Sequence, residues 1–253
     1  MASMLLSLML LWGASPMDAA EAQARPEPCI TDAAFAGAQA YVRSRPGVVA
    51  FAVLERGRLR SVDGAVPFRS ASLVKAMLLA ADLRRHAQLG TSPDAATLKR
   101  HRAMITRSSN RAARETYRRV GGAGMEGVAR AAGMQHFRDG GSWGLSLLTA
   151  SDQARLWRQL HAVLPARFRA YARELLGAIQ RSQTWGTVRV ARRAGYLALF
   201  KSGWLRRSDG WVVNQGVRLE RGSCTIGLAV LSAQQPTMSD GVETMRGLAD
   251  RLL

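Results

Sequence analysis

Apolar and polar positions alternate along the chain with two periods, and the switches between them outline the fold. Thr31 to Ser44 places Ala33, Phe35, Ala36, Ala40 and Val42 at helical spacing, with Thr31 or Asp32 as N-cap, and Pro46-Gly47 ends it. Val48 to Leu54 is an apolar run of strand length, Arg56-Gly57 a turn, and Leu59 to Val62 a returning strand. Ser72 to Leu89 forms the most apolar helical stretch and stops at Gly90, a good residue just past a helix end. Helices are predicted around 95–105, 110–119, 123–132, 150–163 and 166–181, with Gly or Pro between most of them. From Leu197 the period returns to two, giving strands over 197–205, 210–220 and 223–232 with a turn at Gly222, before a closing helix over 241–252. This order predicts an α+β fold, with a five-stranded antiparallel sheet built from both chain ends, flanking helices and an all-helical middle.

The ends of the chain bear on compartment. Met4 to Ala14 is a short apolar run followed by small and polar residues, and Ala20-Glu21-Ala22 and Ala22-Gln23-Ala24 fit a cleavage site. Residues 1–24 are therefore expected to be a signal peptide, leaving 25–253 as one secreted, extracytoplasmic domain. The run is shorter than the roughly 20 residues that span a bilayer, so no membrane span is expected. Cys29 and Cys224 are too few and too distant in sequence for a zinc site. In an exported protein the pair favours a disulfide, with two buried free thiols as the alternative. If the last strand pairs antiparallel with the first, both cysteines fall at one edge of the sheet.

Charge changes the picture less than its composition does. The 253 residues carry 36 Lys+Arg against 18 Asp+Glu, a formal charge of +18. That excess invites a polyanion partner, yet the arginines are spread over many helices with no dense run, aromatic RNA-binding motif or basic tail. Solvated helix faces account for most of it, and no specific nucleic acid is expected. Only Lys75, Lys99 and Lys201 are lysines. Arginine does not give up its proton and lysine does, so each lysine invites the question of what it does.

Two of the three lie in motifs with chemistry. Ser72-Leu73-Val74-Lys75 opens the apolar helix, and residues three apart share a helix face, so hydroxyl and amine can meet. Burial among Leu73, Met77 and Leu78, together with the helix N-terminus, disfavours the ammonium form and makes Lys75 a candidate base for a Ser72 nucleophile. Alone, a Ser-x-x-Lys match arises by chance about once per chain of this size. Ser108-Ser109-Asn110 lies between two helices, where a hydroxyl and an amide can face one cleft, although Asn110 as an N-cap is the commoner explanation. Lys201-Ser202-Gly203 sits inside a predicted strand, and glycine there suggests close approach by a ligand or neighbouring backbone.

Together, in this order, the three motifs resemble those of the serine β-lactamase and penicillin-binding superfamily, the class A enzymes above all. The likeness covers roughly 31–253, with ASLVKAMLL, MITRSSNRAA and LFKSGW as its local sequences. It implies that Ser72 attacks a lactam or amide carbonyl with help from Lys75. It further implies that Ser108, assisted by Lys201, passes a proton to the leaving nitrogen. Asn110 would hold the substrate amide and Lys75, Lys201 and Ser202 would meet its carboxylate, and Gly203 and Trp204 would line the cleft. Backbone N–H groups of Ser72 and Trp204 would form an oxyanion hole. The implied substrates are small β-lactams or peptidoglycan-type amides, acted on without metal or other cofactor by a monomer.

The chain departs from that pattern in four places. Ser109 stands where aspartate is usual, Trp204 replaces a small residue, and the linker between the first two motifs is short. No glutamate lies between Glu126 and Glu174 to activate water for deacylation; Asp139 is the only carboxylate before Asp152, in a short segment whose obvious feature is Trp143. The alternatives are a deacylation-impaired penicillin-binding, DD-peptidase-like or esterase enzyme, and a non-catalytic module binding polyanions or cell wall. His86, His101, His136 and His161 lack metal spacing and are expected to be structural or surface residues.

Overall fold

The computed structural model describes residues 28–253, so the expected signal peptide lies outside the described residues. Helix α1 (Asp32–Arg43) starts on the Thr31 side chain, which accepts from Ala34 N, and leads into β1 (Val48–Glu55) and β2 (Arg58–Val62). Strand β3 (Phe68–Arg69) precedes a 3-10 turn at Ala71–Val74 and α2 (Lys75–Gln88). The helical region continues through α3 (Ala95–Thr106), α4 (Asn110–Ala131), the short strand β4 (Leu147–Leu148), α5 (Ala150–Arg158), α6 (Leu160–Val163), α7 (Arg169–Gly177) and α8 (Thr187–Arg193). Strands β5 (Leu197–Arg207), β6 (Gly210–Arg221) and β7 (Cys224–Gln235) and helix α9 (Met238–Leu252) complete the fold.

All five long strands pair antiparallel in the order β2-β1-β7-β6-β5, so the sheet is assembled from both ends of the described chain. Helices α1, α8 and α9 pack together, α9 lying on β6 and β7, while α5 packs on β1, β6 and β7. Strand β1, flanked by β2 and β7, is buried from Val49 to Glu55, which explains its unbroken apolar reading. None of the described helices is long and apolar enough to cross a membrane.

Cys29 and Cys224 form a disulfide with Cα atoms 5.8 Å apart. Glu55 fixes the neighbouring backbone: buried at 2% exposure, it accepts from Cys29 N at 2.6 Å and Ile30 N at 3.2 Å and pairs with Arg60 at 2.9 Å. Because Glu55 faces Ile226 across the β1–β7 ladder, the N-terminal segment meets the start of β7 at one sheet edge. Closing so long a loop is worth on the order of 5 kcal/mol in a chain-entropy picture.

Local differences from the sequence reading have local causes. The stretch from Ser72 begins as a 3-10 turn and becomes α-helical only at Lys75. By contrast, the two helices expected over 110–119 and 123–132 are present within residues 110–131, separated at Gly121, whose φ of 61° breaks the helix. The middle region is not purely helical, because β3 pairs with β4 through Phe68–Leu148 and Arg69–Leu147, two strands too short to show a period. The stretch expected helical over 166–181 is α-helical only from Arg169 to Gly177, and α8 was not anticipated.

Candidate active site

The 3-10 turn carries Ser72. In a 3-10 helix residues i and i+3 eclipse, so Ser72 and Lys75 project on one side. Ala71, immediately before Ser72, holds φ at 45°, a left-handed conformation costly for a residue with a Cβ. The turn is braced from both sides. Asn214 Nδ2 donates to Arg69 O at 2.8 Å, and Ser70 N donates to Ser146 O at 2.9 Å. Strand β5 presses on it at Gly203, where a Cβ would lie 2.8 Å from Ser72 N and 2.5 Å from Leu73 N. The glycine is thus required by backbone approach, and it sets the main chain of Trp204 beside Ser72.

Lys75 is fully buried, and its ammonium nitrogen donates to Ser108 O at 2.6 Å, Asn110 Oδ1 at 2.8 Å and Ser108 Oγ at 3.1 Å. Ser108 reaches this position with φ at 58°, again left-handed, which turns both its carbonyl and its hydroxyl toward the lysine. Trp143 closes the remaining side, its ring centroid 4.7 Å from Lys75 Nζ. Burial lowers the Lys75 pKa from 10.5 to about 7, so near neutrality a large share of the side chain is an uncharged amine with a lone pair. Its hydrogen bonds go to Ser108 and Asn110, with none to the Ser72 hydroxyl in this arrangement. Catalytic contacts often tighten only when substrate is bound.

Lys201 is equally buried but differently held. Its nitrogen donates to Ser202 O at 2.9 Å and to Gln183 Oε1 at 3.2 Å, with no hydrogen bond to Ser108. Burial, and secondarily the positive charge of Lys75, lowers its pKa to about 7. The Ser202 hydroxyl, also fully buried, accepts from Gln215 Nε2 at 2.9 Å, leaving its own proton free to donate. Gln215 additionally donates to Trp185 O at 3.0 Å and accepts from Val188 N at 3.3 Å.

A cleft of about 450 Å³ opens on this assembly, with Ser72, Ser108, Asn110 and Trp204 in its walls beside Gln183 and Arg107. Four of the eight expected residues therefore line it directly. Lys75 lies behind Ser108 and Asn110, Gly203 behind Ser72, and Lys201 behind Gln183, while Ser202 is locked under Gln215. Trp204 meets Trp185 edge to face at 6.1 Å, forming an apolar rim.

The carboxylates between the second and third motifs are committed elsewhere. Asp139 accepts from Tyr117 Oη at 2.7 Å and Gly141 N at 3.3 Å, and Asp152 from Gln135 N at 2.8 Å and His136 N at 2.7 Å. No carboxylate lines the cleft among the described residues. His101 is buried against Asp82 at 2.9 Å, which is a structural role in the helical region.

Gln183, Gln215 and Asn214 escaped the sequence reading. The signal for the last two was present: adjacent amides inside WVVNQGV, a strand otherwise apolar and buried, have to find partners in the interior.

No protein-family model and no curated protein matches the chain. Solved structures do. A β-lactamase from Sphaerobacter thermophilus DSM 20745 superposes with a TM-score of 0.74 at 18% identity, covering 86% of this chain and 95% of that one. The structure of PBP-A gives 0.73 at 17% identity, with 90% and 96% covered. TLA-1, an extended-spectrum β-lactamase, gives 0.76 at 14%, with 87% and 97% covered. At such low identity the likeness speaks for architecture alone, and the architecture is unambiguous: the chain has the β-lactamase/transpeptidase-like fold.

Proposed function

We propose that this protein is a secreted serine hydrolase that forms an acyl-enzyme on Ser72 with β-lactams or related amides and releases it slowly. The observation that carries the proposal is the buried Lys75 amine, with a pKa of about 7, seated against Ser108 and Asn110. As Ser72 Oγ bonds to the carbonyl carbon, its proton passes to neutral Lys75. Ser108 Oγ, 3.1 Å from Lys75 Nζ, relays a proton to the leaving nitrogen as the carbon–nitrogen bond breaks. The Ser72 and Trp204 N–H groups receive the oxyanion on the tetrahedral intermediate. Hydrolysis of the resulting ester needs a base for water, and no carboxylate in the cleft supplies one.

Brief exposure to a penicillin followed by intact-protein mass spectrometry tests this. The expected result is one covalent adduct that outlasts the exposure in the wild type and is absent in Ser72→Ala. No adduct, or one that survives the substitution, would overturn it.

A further inference from the structure

Beyond the cleft lies a second hollow of about 350 Å³, lined by Arg181, Thr184, Arg189 and Arg192. The two depressions share a wall, the 3-10 turn Arg181–Gln183 with its flanking residues. Gln180, Ser182 and Gln183 face the cleft, while Arg181 and Thr184 face the hollow. Arg189 and Arg192 are three apart on α8 and so share its face.

Nothing among the described residues neutralises this group. No carboxylate lines the hollow, Arg181 and Arg189 have no acidic partner among the described residues, and Arg192 donates to Gly177 O at 3.3 Å and lies over the Phe200 ring at 5.6 Å. The buried Thr184 hydroxyl has no hydrogen-bond partner. The three arginines are exposed, so water screens their mutual repulsion, and their planar forks match a carboxylate two bonds at a time. The hollow also lies at a definite end of the cleft. Gln183, in the shared wall, accepts from Lys201 Nζ at 3.2 Å, so the wall stands at the lysine end.

We infer that the Arg181–Arg189–Arg192 hollow is a subsite for a carboxylate on the leaving half of the substrate, beyond the group that meets Lys201. This rests on the acyl-enzyme reading together with the expectation that Lys201 meets the substrate carboxylate on the side of the leaving nitrogen. The substrate class is thereby narrowed to amides whose departing amine is an acidic amino acid or peptide carrying a second carboxylate.

Calorimetric titration of the full chain with two product-like dipeptides, D-alanyl-D-glutamate and D-alanyl-D-glutamine, tests the subsite without requiring turnover. At low ionic strength the glutamate form is expected to bind about tenfold more tightly. The advantage should fall below about twofold in the double variant Arg181→Gln/Arg189→Gln, and likewise in about 0.5 M salt. Equal Kd values in the wild type, binding of neither dipeptide, or an advantage that survives the double substitution would overturn the inference. Penicillin labelling of the double variant should proceed at the wild-type rate. Loss of labelling in the wild type counts against the acyl-enzyme reading, whereas intact labelling without a glutamate preference counts against the subsite alone.

Discussion

The two buried lysines of the cleft are held at the same pKa, about 7, by opposite kinds of wall. Lys75, on the helical side, touches groups that themselves face the cleft: the Ser108 hydroxyl and the Asn110 amide, with the Trp143 ring excluding water behind them. A proton taken up there can leave again through Ser108. Lys201, on the strand side, touches its neighbour's carbonyl and the Gln183 amide oxygen, and no group that could carry a proton onward. Similar burial therefore produces different chemistry. In the proposed mechanism one amine moves protons, while the other offers hydrogen bonds, and positive charge below about pH 7, to an acceptor that can replace the Gln183 oxygen.

The largest break in this comparison is expected from removing each amine in turn. Lys75→Met should slow β-lactam acylation by on the order of 10³ whether or not the ligand carries a carboxylate, as loss of a general base does. Lys201→Met should instead raise the apparent KM for carboxylate-bearing ligands and leave their methyl esters nearly unaffected. Stopped-flow acylation rates for acid and ester forms of one cephalosporin check both. Equal losses for the two variants would erase the distinction.

pH sharpens it next. In the proposed mechanism Lys75 acts when neutral, so the acylation rate should rise between pH 6 and 8 with a midpoint at the lysine's value of about 7. The sign follows from burial, which disfavours the ammonium form and lets the base persist to lower pH than an exposed lysine would. Trp143→Ala admits water beside Lys75 and should move the midpoint upward, reducing the rate most at low pH.

The smallest effect is expected at the strand side. Gln183→Ala uncovers Lys201 and should lower the KM of carboxylate-bearing ligands several-fold, because the substrate no longer displaces an amide oxygen that already satisfies the amine. Steady-state competition against a labelled penicillin measures it, and an increased KM would show that Gln183 contacts substrate instead.

How much of this was legible in the sequence followed from how local each feature is. Ser72 and Lys75 are three residues apart on one turn, so their meeting could be read directly, even though the turn is 3-10. Gly203 could be flagged because a glycine in mid-strand implies close backbone approach, here to Ser72 and Leu73. The assembly of the sheet from both chain ends also followed from strand lengths and turn residues, whereas the strand order comes from the structure. Gln183 and Gln215 could not be assigned the same way. Gln215 reaches Ser202 only because the β5–β6 register sets the two opposite each other, and Gln183 reaches Lys201 from a turn with no periodic signal. The Trp143 ring over Lys75 depends on contacts between residues 68 apart. The loop is anchored by Ser70 and Ser146, a junction that neither neighbourhood announces alone.

The proposed enzyme acylates readily on Ser72, and no carboxylate lines its cleft, among the described residues, to serve as a base for deacylation. A rapid-mixing experiment with a chromogenic cephalosporin in modest excess over enzyme tests this most directly. The expected result is a burst of colour of about one equivalent per protein, followed by turnover slower by orders of magnitude. A linear time course at many equivalents per protein, or no colour at all, would contradict it.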